Sequence, residues 1–351
     1  ISDALFNSFR EEASVQKSSR DTNLDLIALK SFMRERFGDA EMRLEPIGGG
    51  QSNPTYFLDH GDRRLVLRKQ PDGPILKGAH AIDREYRVLE ALAPTGVPVP
   101  CPVLFHHDPE PFGTPFYLME RLDGRVFEDA SLPGLSPDER RAIYLGMAQA
   151  LARLHAVKPD EVGLADYGRP GNYFERQIGR WTKQLRESPS QPIADLEALA
   201  EWLPLNLPDD DGQVSIAHGD FRLGNLLFHP SRPEVIGILD WELSTLGHPL
   251  ADLGFCAMPW HTSPDEYGGI LGLDQTALGI PDEREFLDHY YRHAVPTAPL
   301  SAFHVAFALF RFAVIFVGIG DRARAGNAVS ANAESVAPLA RHFAARAVQM
   351  I

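Results

Sequence analysis

Cysteine is scarce: Cys101 and Cys256 are the two in 351 residues, far apart and in no C-x-x-C or zinc-ligand spacing. That excludes a disulfide framework and points to free, mostly buried thiols in a reducing, cytoplasmic setting. Basic charge is short as well. Lys and Arg total 34 against 48 Asp and Glu, a formal net charge of -14, and a nucleic-acid partner is not expected because its phosphates demand a basic surface. The stretch ISDALFNSFREEASVQKSSRD lacks the apolar centre of a secretory signal, so residues 1–23 read as a polar tail. One run, FHVAFALFRFAVIFVGIG from Phe303 to Gly320, approaches the length of a membrane span. Arg311 in its middle would be costly in a bilayer, so a core helix with Arg311 and His304 paired or turned to a cleft is expected, without a membrane partner. With 44% hydrophobic and 23% charged residues, the composition is that of a globular chain, and the length favours two domains or one large bilobal one.

What is present is concentrated in HGDFRLGNLLF and, after a short variable stretch, VIGILDWE. Asp220 and Asn225 reproduce the D-x-x-x-x-N interval of a kinase catalytic loop, and Asp240 ends the apolar run of Val235, Ile236, Ile238 and Leu239. Phosphoryl transfer needs one carboxylate to orient the attacking hydroxyl, an amide oxygen on a metal, and a second carboxylate on metal and phosphates. Asp220, Asn225 and Asp240 fit those roles in that order, with magnesium as the cation. Singly, each has an ordinary reading as a turn residue, an Asx cap or a strand terminator. Their joint spacing, flanked by strand-like runs, favours the catalytic one.

Leu26 to Phe37 has a helical pattern, and Leu44 to Leu58 and Leu65 to Lys69 read as strands separated by Gly-rich turns. Within the first of these, IGGGQSN is a candidate phosphate loop. Gly49 and Gly50 permit close backbone approach to an anion, and Ser52 and Asn53 can add donors, although a Gly-rich turn is also a common hairpin. In LVLRK a basic side chain, Arg68 or Lys69, can face the phosphates. Alternation puts Arg68 with Val66 and Lys69 with Leu65 and Leu67, so one of the two faces the cleft. The run TPFYLMERLDG reads as a strand ending in a Gly turn, a hinge between lobes. From order along the chain, backbone groups near Glu120 to Leu122 are expected to meet adenine.

VLRKQPDG, AHAIDREYRVLEAL, GLSPDERRAIY, HGDFRLGN and ILDWELSTLGHPLADL together resemble the aminoglycoside phosphotransferase and choline kinase type of small-molecule kinase. Among these, the kinase-like domains fused to acyl-CoA dehydrogenase in animals are most similar. The resemblance implies an α+β fold of protein-kinase-like, bilobal form. An amino lobe over 24–121 would carry a small antiparallel sheet and one helix, and a larger, mostly helical carboxyl lobe would run over 122–351. It selects Arg68 as the phosphate ligand and Glu85 as its ion-pair partner, and implies ATP as donor, with GTP as the alternative. It makes Asp252 a structural carboxylate pinning the catalytic loop. Arg222 stands where many kinases place a Lys on the transferred phosphoryl group, against the plainer reading of a salt-bridged loop residue. The chain also departs from protein kinases. Gly219 replaces the Arg that reads a phosphorylated activation loop, Trp241-Glu242 replaces Phe-Gly, and no A-P-E follows, so activation-loop control is not expected.

Ser136-Pro137-Asp138-Glu139 is a capping box opening a scaffold helix to about His155. In NYFERQIGRWTKQL, a helix puts Phe174, Ile178, Trp181 and Leu185 on one face and Arg176, Arg180 and Lys183 on the other. As a rim of the acceptor site, that basic stripe would suit an anionic hydroxyl compound over a polycationic aminoglycoside. The resemblance points the same way, to a hydroxyacyl-CoA or hydroxy acid. The expected activity is therefore phosphoryl transfer to a small-molecule alcohol. The competing readings are a nucleotide-binding pseudokinase scaffold for an acyl-CoA enzyme, an antibiotic kinase and, last, a metal-dependent hydrolase.

Overall fold

The computed structural model describes residues 25–48, 53–71, 81–110, 113–169, 171–324 and 337–351. The chain divides into two units, Ile1–Asp123 with Leu239–Glu242, and Gly124–Ile238 with Leu243–Ile351. Its class is α+β, a small five-stranded antiparallel sheet followed by a helical carboxyl-terminal part.

In the first unit Asp25 caps helix α1 (Leu26–Phe37), its carboxylate accepting from the Ile27 and Ala28 amides at 2.9 and 3.0 Å. The stretch from Leu44 to Leu58, expected as strand interrupted by the IGGGQSN turn, contributes to β1 (Met42–Pro46) and β2 (Thr55–His60), with residues 49–52 between them outside the described residues. After the two-residue turn Gly61-Asp62, where Gly61 takes a positive φ of 58°, β3 spans Arg63–Lys69. Helix α2 (Ile82–Leu92), β4 (Pro102–His106) and β5 (Phe116–Glu120) complete the unit in strand order β1-β2-β3-β5-β4, all antiparallel. Period-two alternation assigns the faces. Leu65, Leu67, Tyr56, Leu58, Phe116 and Leu118 pack with Leu29 and Met33 of α1. Each such side chain, fully buried, stabilises by roughly 1.5–3 kcal/mol. Arg68 and its cross-strand neighbour Tyr117 share the other face, where Tyr86 of α2 packs its ring 5.8 Å from that of Tyr117.

In the second unit the capping box is present. Ser136 Oγ accepts from the Glu139 amide at 3.3 Å while the Ser136 amide donates to Glu139 Oε2 at 3.4 Å, opening α3 (Pro137–His155). Helices α4 (Tyr173–Arg186) and α5 (Ala194–Leu205) follow. Two small antiparallel ladders come next, β6 (Ser215–Ala217) with β9 (Thr245–Gly247), and β7 (Leu226–Phe228) with β8 (Val235–Ile238). Then come α6 (Pro249–Ala257), α7 (Gln275–Leu278), α8 (Glu283–His293), α9 (Ala302–Arg324) and α10 (Leu339–Val348). Helix α9 contains the long apolar run. It is long and apolar enough to cross a membrane, yet it is packed by α4, α5, α6 and α10, with Phe303, Phe307, Phe310 and Phe316 buried. Cys256 is buried, whereas Cys101, expected to be buried too, is exposed in the approach to β4.

Candidate phosphoryl-transfer residues

In the first unit, one buried carboxylate organises the sheet face beneath α2. Glu85, 2% exposed, accepts from Asn53 Nδ2 at 2.7 Å on one oxygen and from the Tyr117 hydroxyl at 3.1 Å on the other, and this second oxygen also lies 2.8 Å from Arg68 Nε in an ion pair. Arg68 continues to Asp240, its second nitrogen donating to Oδ1 at 3.1 Å, with Glu242 at 4.0 Å. Burial alone would lower the Arg68 pKa. The Glu85 carboxylate, followed by Tyr117, Asp240 and Glu242, more than reverses this, so the guanidinium stays charged. Lys69 lies on the opposite face with Leu65 and Leu67, and the strand therefore presents Arg68 to Glu85. Asp240 has φ +65°, a left-handed conformation that an Asp tolerates better than most residues and that is typical of functional turns.

Three of the sequence candidates, Gly49, Gly50 and Ser52, lie outside the described residues. Asn53 is described, and its amide is turned to Glu85. Glu120, at the end of β5, is exposed and its amide donates to the Cys101 carbonyl at 2.8 Å; Leu122 follows, half-buried.

In the second unit the run after β6 is clamped by Asp252 of α6. The His218 and Gly219 amides donate to its two oxygens at 2.6 and 2.9 Å, and His155 Nε2 lies 3.5 Å away, itself oriented by the Tyr290 hydroxyl at 2.8 Å from Nδ1. Burial would raise the Asp252 pKa, but His155, His218 and the Gly219 amide hold it below the usual carboxylate range. Gly219 adopts φ +84°, and a Cβ there would sit 2.8 Å from the Leu243 carbonyl. Glycine is therefore required by both dihedral and space, which accounts for the absence of an Arg at this position. Asn225 reaches back five residues, its Nδ2 donating to the Asp220 carbonyl at 2.8 Å and to Oδ2 at 2.7 Å. That leaves the Asn225 amide oxygen as an acceptor for a hard cation, the donor chemistry magnesium prefers. Arg222 lies 3.6 Å from Asp220 and 3.5 Å from Glu128. Burial lowers its pKa, and Asp220, Tyr267 and Glu128 raise it above the ordinary value.

Sequence reasoning missed Tyr117, whose cross-strand register with Arg68 becomes visible only once β3 and β5 pair. It also missed that Arg311 donates to the Gly219 carbonyl at 2.6 Å; the signal was the lone charge in an apolar helix, without the address of its partner. Cys256 is inert: burial pushes its thiol up, and its Sγ donates to the Phe221 carbonyl.

Sheet, helices and motif define a kinase-like phosphotransferase. Residues 43–274 match the phosphotransferase enzyme family, to which the chain belongs. A crystal structure from Ralstonia eutropha, provisionally labelled an aminoglycoside phosphotransferase, is 43% identical, with a TM-score of 0.83 over 93% of this chain and 99% of that one. Acyl-CoA dehydrogenase family member 10 of Mus musculus is 42% identical over 333 residues, 91% of this chain and 31% of that protein. Family member 11 of Homo sapiens is 39% identical over 327 residues, 92% of this chain and 41% of that protein. The chain thus spans about a third to two fifths of the length of these curated relatives.

Proposed function

We propose that the chain transfers the γ-phosphoryl group of ATP to a hydroxyl of an anionic small molecule, such as a hydroxy acid or a hydroxyacyl-CoA. Asp220 orients the attacking hydroxyl and accepts its proton as the oxygen–phosphorus bond forms and the bond to the β-phosphate oxygen breaks. Asn225 and Asp240 would hold magnesium, which would supply charge neutralisation on the phosphates. Arg68, kept charged and aimed by Glu85, binds phosphate oxygens; Arg222 stabilises charge on the transferred group; backbone groups at Glu120 to Leu122 meet the adenine.

The observation that supports this most is the Asp220 loop. It is fixed by Asp252 through two amides and locked to Asn225 through the side chain, which is preorganisation of the base before substrate arrives. For the acceptor, support comes from the names of the acyl-CoA dehydrogenase relatives and from the basic residues of α4. A second reading, an aminoglycoside acceptor, is favoured by the label of the 43%-identical structure. An ADP-release assay with Mg·ATP against hydroxyacyl-CoAs, hydroxy acids, choline-like alcohols and aminoglycosides separates the two. Asp220→Asn should lower turnover by at least ~1000-fold, in the range seen when a positioned catalytic group is removed. Retained turnover in that variant, or no acceptor-stimulated ADP release from the unaltered chain, would count against the kinase and for a nucleotide-binding scaffold.

A further inference from the structure

Of the three cations on the outer side of α4, two are satisfied locally: Arg176 by the Gly171 carbonyl and Lys183 by Glu187 at 3.7 Å. Arg180 is not. Its guanidinium lies over the Trp181 ring, 4.9 Å from the centroid, and Arg311 of α9 approaches the same indole at 5.8 Å. Arg311 gives an N–H to the Gly219 carbonyl, and its guanidinium has further donors to offer. Among the described residues neither Arg180 nor Arg311 forms an ion pair. The Trp181 indole Nε1, in a residue 7% exposed, is buried without a hydrogen-bond partner among the described residues. Tyr173, about two turns before Trp181 on the same helix, senses the same charges. Burial raises its pKa, while Arg311, Arg180 and Arg176 pull it down and Asp252 opposes them.

An unpaired buried donor is destabilising, and two guanidiniums near one indole repel. In a chain of net charge -14, carboxylates are plentiful, yet among the described residues none forms an ion pair with Arg180 or Arg311. What the cluster lacks is an oxyanion. We propose that Arg180, Arg311 and the Trp181 indole N–H form a subsite for a carboxylate or phosphate group on the acceptor. Through Arg311 it is joined to the Gly219 peptide, one residue from Asp220, so the anion fixes the acceptor's orientation at the loop that carries the base. This rests on the kinase reading and assigns it specificity residues.

The test is a titration of the full chain labelled with ¹⁵N-tryptophan, which gives four indole N–H resonances, one assigned to Trp181 through Trp181→Phe. The probes are 3-hydroxybutyrate and glycerol 3-phosphate, with 1,3-butanediol and glycerol as neutral counterparts. The Trp181 resonance should shift saturably with an anionic probe and not with its neutral counterpart, and the responding probe distinguishes carboxylate from phosphate. Arg180→Gln should weaken that binding at least tenfold. No saturable shift with either anion, an equal shift with the neutral compounds, or unchanged affinity in Arg180→Gln would overturn the subsite. ADP release by the unaltered chain, measured on the same preparation, decides the kinase reading separately.

Discussion

At the residue scale, the strongest dependence is that of the His218-Gly219 peptides on a single carboxylate. Removing it in Asp252→Ala leaves two buried amides and His155 without their acceptor, each orphaned donor costing roughly 1–3 kcal/mol. We expect Asp252→Ala to lose about 2–4 kcal/mol in urea unfolding, and Asp252→Asn, which keeps one acceptor oxygen, to lose less. A second residue couples folding to pH. His304 is 3% exposed, and burial, reinforced by His248, lowers its pKa to about 4 from an ordinary 6.5. The folded state therefore holds a neutral imidazole that the unfolded chain protonates first. Its contribution is intact above pH ~6.5 and lost as pH falls toward 4, on the order of 3 kcal/mol over that window. Asp252, with its lowered pKa, loses stability at still lower pH, so both act in the acid direction. Unfolding free energies measured between pH 7 and 4 should fall with acidity, and His304→Gln should flatten that slope.

At the scale of elements, α3 depends on its reciprocal cap. Ser136→Ala removes the acceptor for the Glu139 amide and should cost about 1 kcal/mol, read as a lower urea midpoint at unchanged m value. Ser136, Pro137 and Glu139 are adjacent in sequence, so that start was legible without coordinates. The same holds for the buried face of α4, where Phe174, Ile178, Trp181 and Leu185 recur at helical spacing. Period-two alternation likewise separated Arg68 from Lys69, which is why the strand could be reduced to two candidates before the fold was known. What local pattern could not supply was any partner more than a few residues away. The Tyr117 contact to Glu85 needs the β3–β5 register, and the Gly219 contact to Arg311 closes a loop of ninety-two residues. The outer side of α4 illustrates the limit from the other direction. Its three cations look equivalent in sequence, and only packing shows that Arg176 and Lys183 have local partners while Arg180 turns to Trp181.

At the scale of the whole molecule, a nucleotide that binds only the native state must raise its unfolding free energy by RT ln(1 + [L]/Kd), about 2.7 kcal/mol when ligand is present at a hundred times its Kd. With melting shifts of roughly 2–4 °C per kcal/mol for domains of this size, Mg·ATP should raise a melting temperature of the chain by on the order of 5–10 °C. The variants divide the effect by role. On the proposed roles, Asp220→Asn should keep nearly the full shift, since a base would act on the acceptor, whereas Arg68→Ala should lose most of it, since it would remove a phosphate ligand. Arg68→Ala also strands the buried Glu85 carboxylate and lowers the starting stability by about 3–5 kcal/mol. The informative quantity is therefore the nucleotide-induced increment within each variant, measured by calorimetry with and without magnesium. Equal increments in Arg68→Ala and the unaltered chain would remove Arg68 from the phosphate site, and no increment in any of them would remove nucleotide binding itself.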